Sequence, residues 1–174
     1  DMEDLKSDDV DRIIPLYMPT GYDKYLNAAG TALRTIMRCV DNEIYPEKAY
    51  ITEKCEGENA ATQYMDGEQS VTCGMIGKGQ ALLPVASIFG KEQFSEVNED
   101  ALDAIGELLN CINGLYASAL SQSGVSMELY PPQFSASISG IEGKEMLVLP
   151  LHIKGQRVDF VIAIGNKIEM KQEA

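Results

Sequence analysis

The stretch NEDALDAIGELLNCINGLYASALSQSG, residues 98–124, decides the fold. Asn98 is a good helix N-cap, Glu99, Asp100 and Asp103 sit where the helix dipole favours negative charge, and Gly124 supplies a stop. At about 100° per residue, Leu102, Ile105, Leu108, Leu109, Ile112, Leu115, Tyr116 and Leu120 fill one broad arc. Asp103, Glu107, Asn110, Gly114, Ser118 and Ser121 share the other. A long amphipathic helix is predicted, with its apolar arc buried and its second face kept flat by short side chains.

Working outward, Leu26, Ala29, Leu33, Ile36, Met37 and Val40 recur at helical spacing and predict a first packed helix over 23–40, with Arg34 and Arg38 on its far side. AYITEKC, ATQYM and SVTCGMI alternate under turn signals at Glu56-Gly57 and Asp66-Gly67 and read as three antiparallel strands. ALLPVASIFG reads as a short helix with Pro84 in its first turn and Gly90 as its stop. After the long helix, VSMELYPPQFSASIS holds one or two strands, and KEMLVLPLHI turns at Lys154-Gly155 into QRVDFVIAIG. The expected fold is α+β, an antiparallel-rich sheet with the long helices on one face. Val158, Phe160, Ile162 and Ile164 should face those helices. Residues 1–22, acidic and then punctuated by Pro15 and Pro19, suit a linker or edge strand better than a helix. The expected division is an extension over 1–22, a domain over 23–166 and a tail over 167–174.

With 174 residues, 45% of them hydrophobic, the chain suits one well-cored domain. A formal net charge of -13 repels phosphate backbones and anionic lipid, so nucleic acid and membranes are poor partners. The apolar runs are shorter than a membrane span and no charged-then-apolar leader opens the sequence, so a cytoplasmic protein is expected. Cys39, Cys55, Cys73 and Cys111 form no CxxC pair and are joined by a single histidine, His152, which argues against zinc and for reduced thiols behaving as small hydrophobes. His152, in an apolar strand, reads as a core or edge residue rather than part of a hydrolytic triad. IGKGQ at 76–80 lacks the spacing of a phosphate loop and reads as a strand-to-helix turn.

Glu107 and Asn110 are spaced i, i+3, one turn apart on one side of the helix. They combine an acceptor carboxylate with an amide that both donates and accepts, a pair suited to holding a water molecule. No Lys, Arg or His lies between 98 and 124, so this face cannot by itself neutralise a phosphoryl group. From spacing alone, such a pair reads as hydrated surface before it reads as a site. Asn113, at the apolar edge, is expected to be a buried amide bonded to a neighbouring strand.

The run from NEDALDAIGELLNCINGLYASALSQSG through Pro131-Pro132 to Leu149-Pro150-Leu151 resembles the CheX family of chemotaxis phosphatases, within the CheC/CheX/FliY superfamily. Asp103, Glu107 and Asn110 fall on that family's D-x-x-x-E-x-x-N pattern, and the resemblance covers about 74–165. It implies hydrolysis of the phosphoaspartate of a CheY-like response regulator. Asn110 would orient the attacking water, Glu107 would contact the regulator's active-site Lys, and Asp103, Gly114 and Ser118 would lie in the docking face. The regulator would supply Mg2+ and the chain itself would bind no cofactor. Asp23 and Asn27 stand where a second Glu-x-x-Asn would be needed, which implies one site per chain, and Leu115 stands where CheC-like members have Asn. A homodimer through the strand region is implied as well. The alternative is a non-catalytic CheX-fold module that docks a receiver domain or another signalling partner.

Overall fold

A computed structural model of the chain describes residues 9–173. Helix α1 (Val10–Ile13) runs into a 3-10 turn (Ile14–Tyr17), and a second 3-10 turn (Asp23–Tyr25) leads into α2 (Leu26–Cys39). Strands β1 (Tyr45–Pro46), β2 (Tyr50–Glu56), β3 (Asn59–Gly67) and β4 (Val71–Gly77) follow. Then come α3 (Leu83–Gly90), α4 (Glu99–Gln122), β5 (Met127–Leu129), β6 (Gln133–Ser135), β7 (Ile138–Ile153), β8 (Gln156–Ile164) and β9 (Ile168–Gln172).

All nine strands belong to one antiparallel sheet with the path β1-β7-β8-β4-β3-β5. β7 organises it. β1 and β2 pair with β7 on one side, while β8 and β9 take successive portions of the other. At the opposite end β3 carries β4 on one edge and β5 and β6 on the other. Pro150 lies within β7 and has no N–H to donate. Its carbonyl accepts from Glu47 N at 2.9 Å, in the break between β1 and β2.

The alternation in β8 sorts two cores. Val158, Phe160, Ile162 and Ile164 join the main core with α2, α3 and α4, as their spacing predicts. Val161 and Ala163 point into a smaller core on the other face, with Cys55, Ile76, Ile138, Met146 and Val148. The helices therefore cover one face of the sheet, and the sheet's own long strand and its neighbours enclose the second core.

Several expectations need correcting. Residues 10–17 are helical rather than linker or edge strand, because Pro15 opens a 3-10 turn where its missing N–H does no harm. Val10 and Ile14 from this segment are buried in the main core, and Arg34 pairs with Asp11 to hold it there. Residues 1–8 of the expected extension lie outside the described residues. The segment from 167 contains β9, whose Ile168 and Met170 pack on the second core, where a tail was expected. Glu56-Gly57 closes no hairpin, since β2 pairs with β7 and not with β3. Finally, Lys91, not Gly90, takes the left-handed conformation that ends α3, with φ 53°.

Candidate functional site

Asn98 caps α4, its Oδ1 accepting from Ala101 N at 2.9 Å, and Gly124 follows the helix with φ 83°. Between them the wheel holds at nearly every position. Leu102, Ile105, Leu108, Leu109 and Ile112 are buried, whereas Asp103, Glu107, Asn110, Gly114, Ser118 and Ser121 are exposed. The helix thus gathers the expected site residues onto one open face. Leu115 is the exception, 55% exposed. It lies only about 80° from Glu107 on the wheel, at the border of the apolar arc, and so adds an apolar patch beside Gly114.

One flank of this face is a groove of about 390 Å³ between α4 and the segment 129–134. Asp103, Glu107 and Asn110 line its helical wall, and Tyr130, Pro131 and Pro132 line the other. The approach is close because Gly106 has no side chain. A Cβ there would lie 3.0 Å from Pro132 Cβ. Gly114 differs, since a Cβ added at that position meets nothing within 4 Å. Its smoothness serves no contact among the described residues.

Beneath Asn110 lies a chain of amides. Gln63, on β3, is 1% exposed and donates through Nε2 to Asn110 Oδ1 at 2.8 Å and to the Tyr130 carbonyl at 2.9 Å. Its Oε1 accepts from Asn113 Nδ2 at 2.8 Å. Asn113 is fully buried and bonded to a neighbouring strand, as its place on the wheel predicts. Asn110 is held at one end and open at the other. Sequence reasoning passed over Gln63 and Tyr130. The signal for Gln63 is its phase in ATQYM, where a polar residue shares the core-facing alternation of Ala61 and Met65.

The face is acidic. The nearby Cys111 thiol is pushed above its usual value by partial burial and then by Cys39 and Glu107, so it is protonated at neutral pH and a poor nucleophile. Cys39 and Cys111 are exposed rather than packed as small hydrophobes, while Cys55 and Cys73 are buried with thiols pushed up to about 12. His152 stands at the β1–β7 pairing, stacked on Tyr45 with ring centroids 4.6 Å apart. Among the described residues no group of three or more His, Cys, Asp or Glu is placed to hold a metal ion, and no helix is long and apolar enough to cross a membrane.

The family model for the chemotaxis phosphatase CheX matches residues 59–152, from the first residue of β3 through α4 and almost to the end of β7. The chain belongs to the CheX family. Solved structures agree on the fold. A CheC-like superfamily protein from Shewanella sp. PV-4 is 17% identical, covering 83% of this chain and 99% of its own, with a TM-score of 0.71. A CheX from Desulfovibrio desulfuricans is 16% identical over 80% of this chain and 97% of its own, TM-score 0.66. The CheX–CheY–BeF3–Mg2+ complex from Borrelia burgdorferi is 18% identical over 79% of this chain and 95% of the matched chain, TM-score 0.59. No curated protein matches significantly. The matched region contains Glu107 and Asn110 on α4, Pro131-Pro132 and Leu149-Pro150.

Proposed function

We propose that this CheX-family chain hydrolyses the phosphoaspartate of a CheY-like receiver domain, using the exposed face of α4. The observation that carries the reading is the exposure of Glu107 and Asn110 as neighbours beside an open groove. In the step itself, water oxygen bonds to phosphorus as the bond between phosphorus and the aspartyl oxygen breaks. The carboxylate leaves and the water's proton ends on the released phosphate. Asn110 orients the water, Glu107 forms a charge-assisted contact with the receiver's active-site Lys, and Asp103, Gly114 and Ser118 complete the docking face. Phosphoryl transfer needs positive charge around the transferring oxygens, and a cation-free helix face supplies none. The receiver therefore brings Mg2+, Lys and the phosphoaspartate. The Borrelia burgdorferi structure, in which a CheX is held with CheY, BeF3 and Mg2+, supports a partner of this kind.

Exposed Tyr45 and Tyr50 on the outer strands β1 and β2 support a homodimer through the strand region, and the setting is the cytoplasm, where receiver domains operate. Analytical ultracentrifugation tests the dimer.

The decisive experiment follows decay of a phosphorylated CheY receiver, with Mg2+ present and no metal added for this chain. Asn110→Ala should retain receiver binding while slowing turnover by about 10²-fold, because it removes positioning needed at the transition state. Glu107→Ala should weaken binding and turnover together. Full activity in Asn110→Ala overturns the mechanism. Binding by a wild-type chain that accelerates nothing leaves a docking module.

A further inference from the structure

The buried amide chain has a direction, and the direction is set by the one member that cannot rotate. The Tyr130 peptide oxygen only accepts, so the end of Gln63 that meets it at 2.9 Å must be the NH2 group. The residue that carries it is itself anchored, because the N–H of Tyr130 donates to Tyr64 O at 3.0 Å beyond the β3–β5 ladder. With Gln63 so oriented, its second N–H faces Asn110, and only the Asn110 carbonyl can receive it. Its carbonyl faces Asn113, which must then present NH2. Every choice of amide orientation follows from a single main-chain carbonyl.

We propose that Gln63 is the positioning residue of this site, holding Asn110 with its carbonyl inward and its NH2 outward toward the groove. The inference rests on the reading of Asn110 as the group that orients water. An unheld Asn on a helix surface exchanges its amide ends and swings about two side-chain torsions; one whose carbonyl is pinned offers a donor in one direction. Accepting from Gln63 also polarises the Asn110 amide and makes its outward N–H a stronger donor. That donor meets a water oxygen through one lone pair and leaves the other free to face phosphorus. The second lone pair of Asn110 Oδ1 remains for a proton of the same water.

Stability alone does not account for the network. Gln63 lies between Ala61 and Met65 on the core-facing side of β3, where an apolar residue would satisfy the packing. Instead the chain keeps two buried amides, and Asn113 Oδ1 has no hydrogen-bond partner. Of its three side-chain amides only Asn110 is exposed, which is where the order of the network has a use.

Gln63→Met, close in length and flexible enough to fill the space, is the test, run beside Asn110→Ala on a CheY receiver charged with phosphoramidate. The expected result is a turnover at saturating receiver about 10- to 100-fold below wild type, with the half-saturating receiver concentration unchanged to within about twofold. A merely structural role would not split the two constants. Full turnover in folded Gln63→Met, or parallel loss of turnover and affinity, overturns the positioning role. If Asn110→Ala is slow while Gln63→Met is fast, Gln63 fails alone; if Asn110→Ala is fast, the underlying reading fails first.

Should Gln63→Met not fold, the wild-type protein still decides. Its Gln63 side-chain amide protons should exchange far more slowly than those of Asn110, and scalar couplings across the hydrogen bonds should link Gln63 N–H to the Asn110 and Tyr130 carbonyls. Gln63 amide protons exchanging as in a free peptide would overturn the proposal.

Discussion

Gly114 offers a substitution whose effects on stability and docking have opposite signs. It lies deep inside a 24-residue helix, carries no positive φ, and leaves room for a Cβ with nothing within 4 Å. Gly114→Ala therefore removes the conformational cost of a helical glycine without adding strain, a gain of about 1 kcal/mol. For a chain of this size that raises the melting temperature by roughly 2–4 °C, readable by circular dichroism. Gly114→Leu keeps good helix propensity but projects a bulky side chain from the face proposed to meet the receiver. The expected outcome is a chain as stable as wild type or more so, with receiver affinity lowered by about tenfold or more, or about 1.4 kcal/mol. Fluorescence titration of a BeF3-activated receiver against both variants gives the comparison. No rise in melting temperature for Gly114→Ala would contradict the open helical environment. Unchanged affinity for a folded Gly114→Leu would remove Gly114 from the docking face.

Two further outcomes test the fold that carries this face. Glu145 on β7 pairs with Lys24 at 2.8 Å and accepts from Tyr25 Oη at 2.6 Å, contacts that in that order hold its carboxyl below the usual range. A depressed folded value stabilises above the unfolded pKa of about 4.3 and ceases to do so as pH falls through the folded one. The gap in melting temperature between wild type and Glu145→Gln should accordingly be present at pH 7 and close below about pH 4; a gap that widens on acidification would refute the pairing. Phe160, fully buried under the helices, should cost about 3–5 kcal/mol when cut to Ala, a fall on the order of 10 °C in thermal unfolding. A loss under about 1 kcal/mol would mean that β8 presents its other face to the core.

Periodicity carried most of the fold because the dominant signals are local. The wheel of α4 separates Asp103, Glu107 and Asn110 from core positions such as Ile105 and Leu108, and the alternation of β8 separates Phe160 from Val161 without knowledge of any neighbour. What it missed depends on partners distant in sequence. The β2 strand has the same pattern whether it pairs with β3 or with β7, and only the three-dimensional path chooses β7. β9 is a short, half-polar segment that becomes a strand because β7 is long enough to offer it an edge. Val10 and Ile14 look like scattered apolar residues in an acidic stretch until the main core receives them. The exposure of Glu107 and Asn110 on one helix face was legible from spacing, and the role proposed for them came from the family pattern. Gln63 was not, because one polar residue in a strand reads as solvent-facing unless its phase is weighed against Ala61 and Met65.

The short side chains along α4 bear on what an encounter with another molecule costs in disorder. Immobilising a Glu, Lys or Arg forfeits as much as about 1.5–2 kcal/mol of rotamer freedom, whereas Gly and Ala forfeit essentially none. Gly114 has no rotamers to lose, Ser118 and Ser121 have one carbon–oxygen arm each, and Asn110 is already tethered to Gln63 before any partner arrives. Glu107 and, to a lesser degree, Asp103 and Leu115 are the side chains with motion to surrender. On the proposed docking face a partner would thus be engaged through modest contact energy and let go again quickly, the balance that the proposed turnover of successive receivers would require.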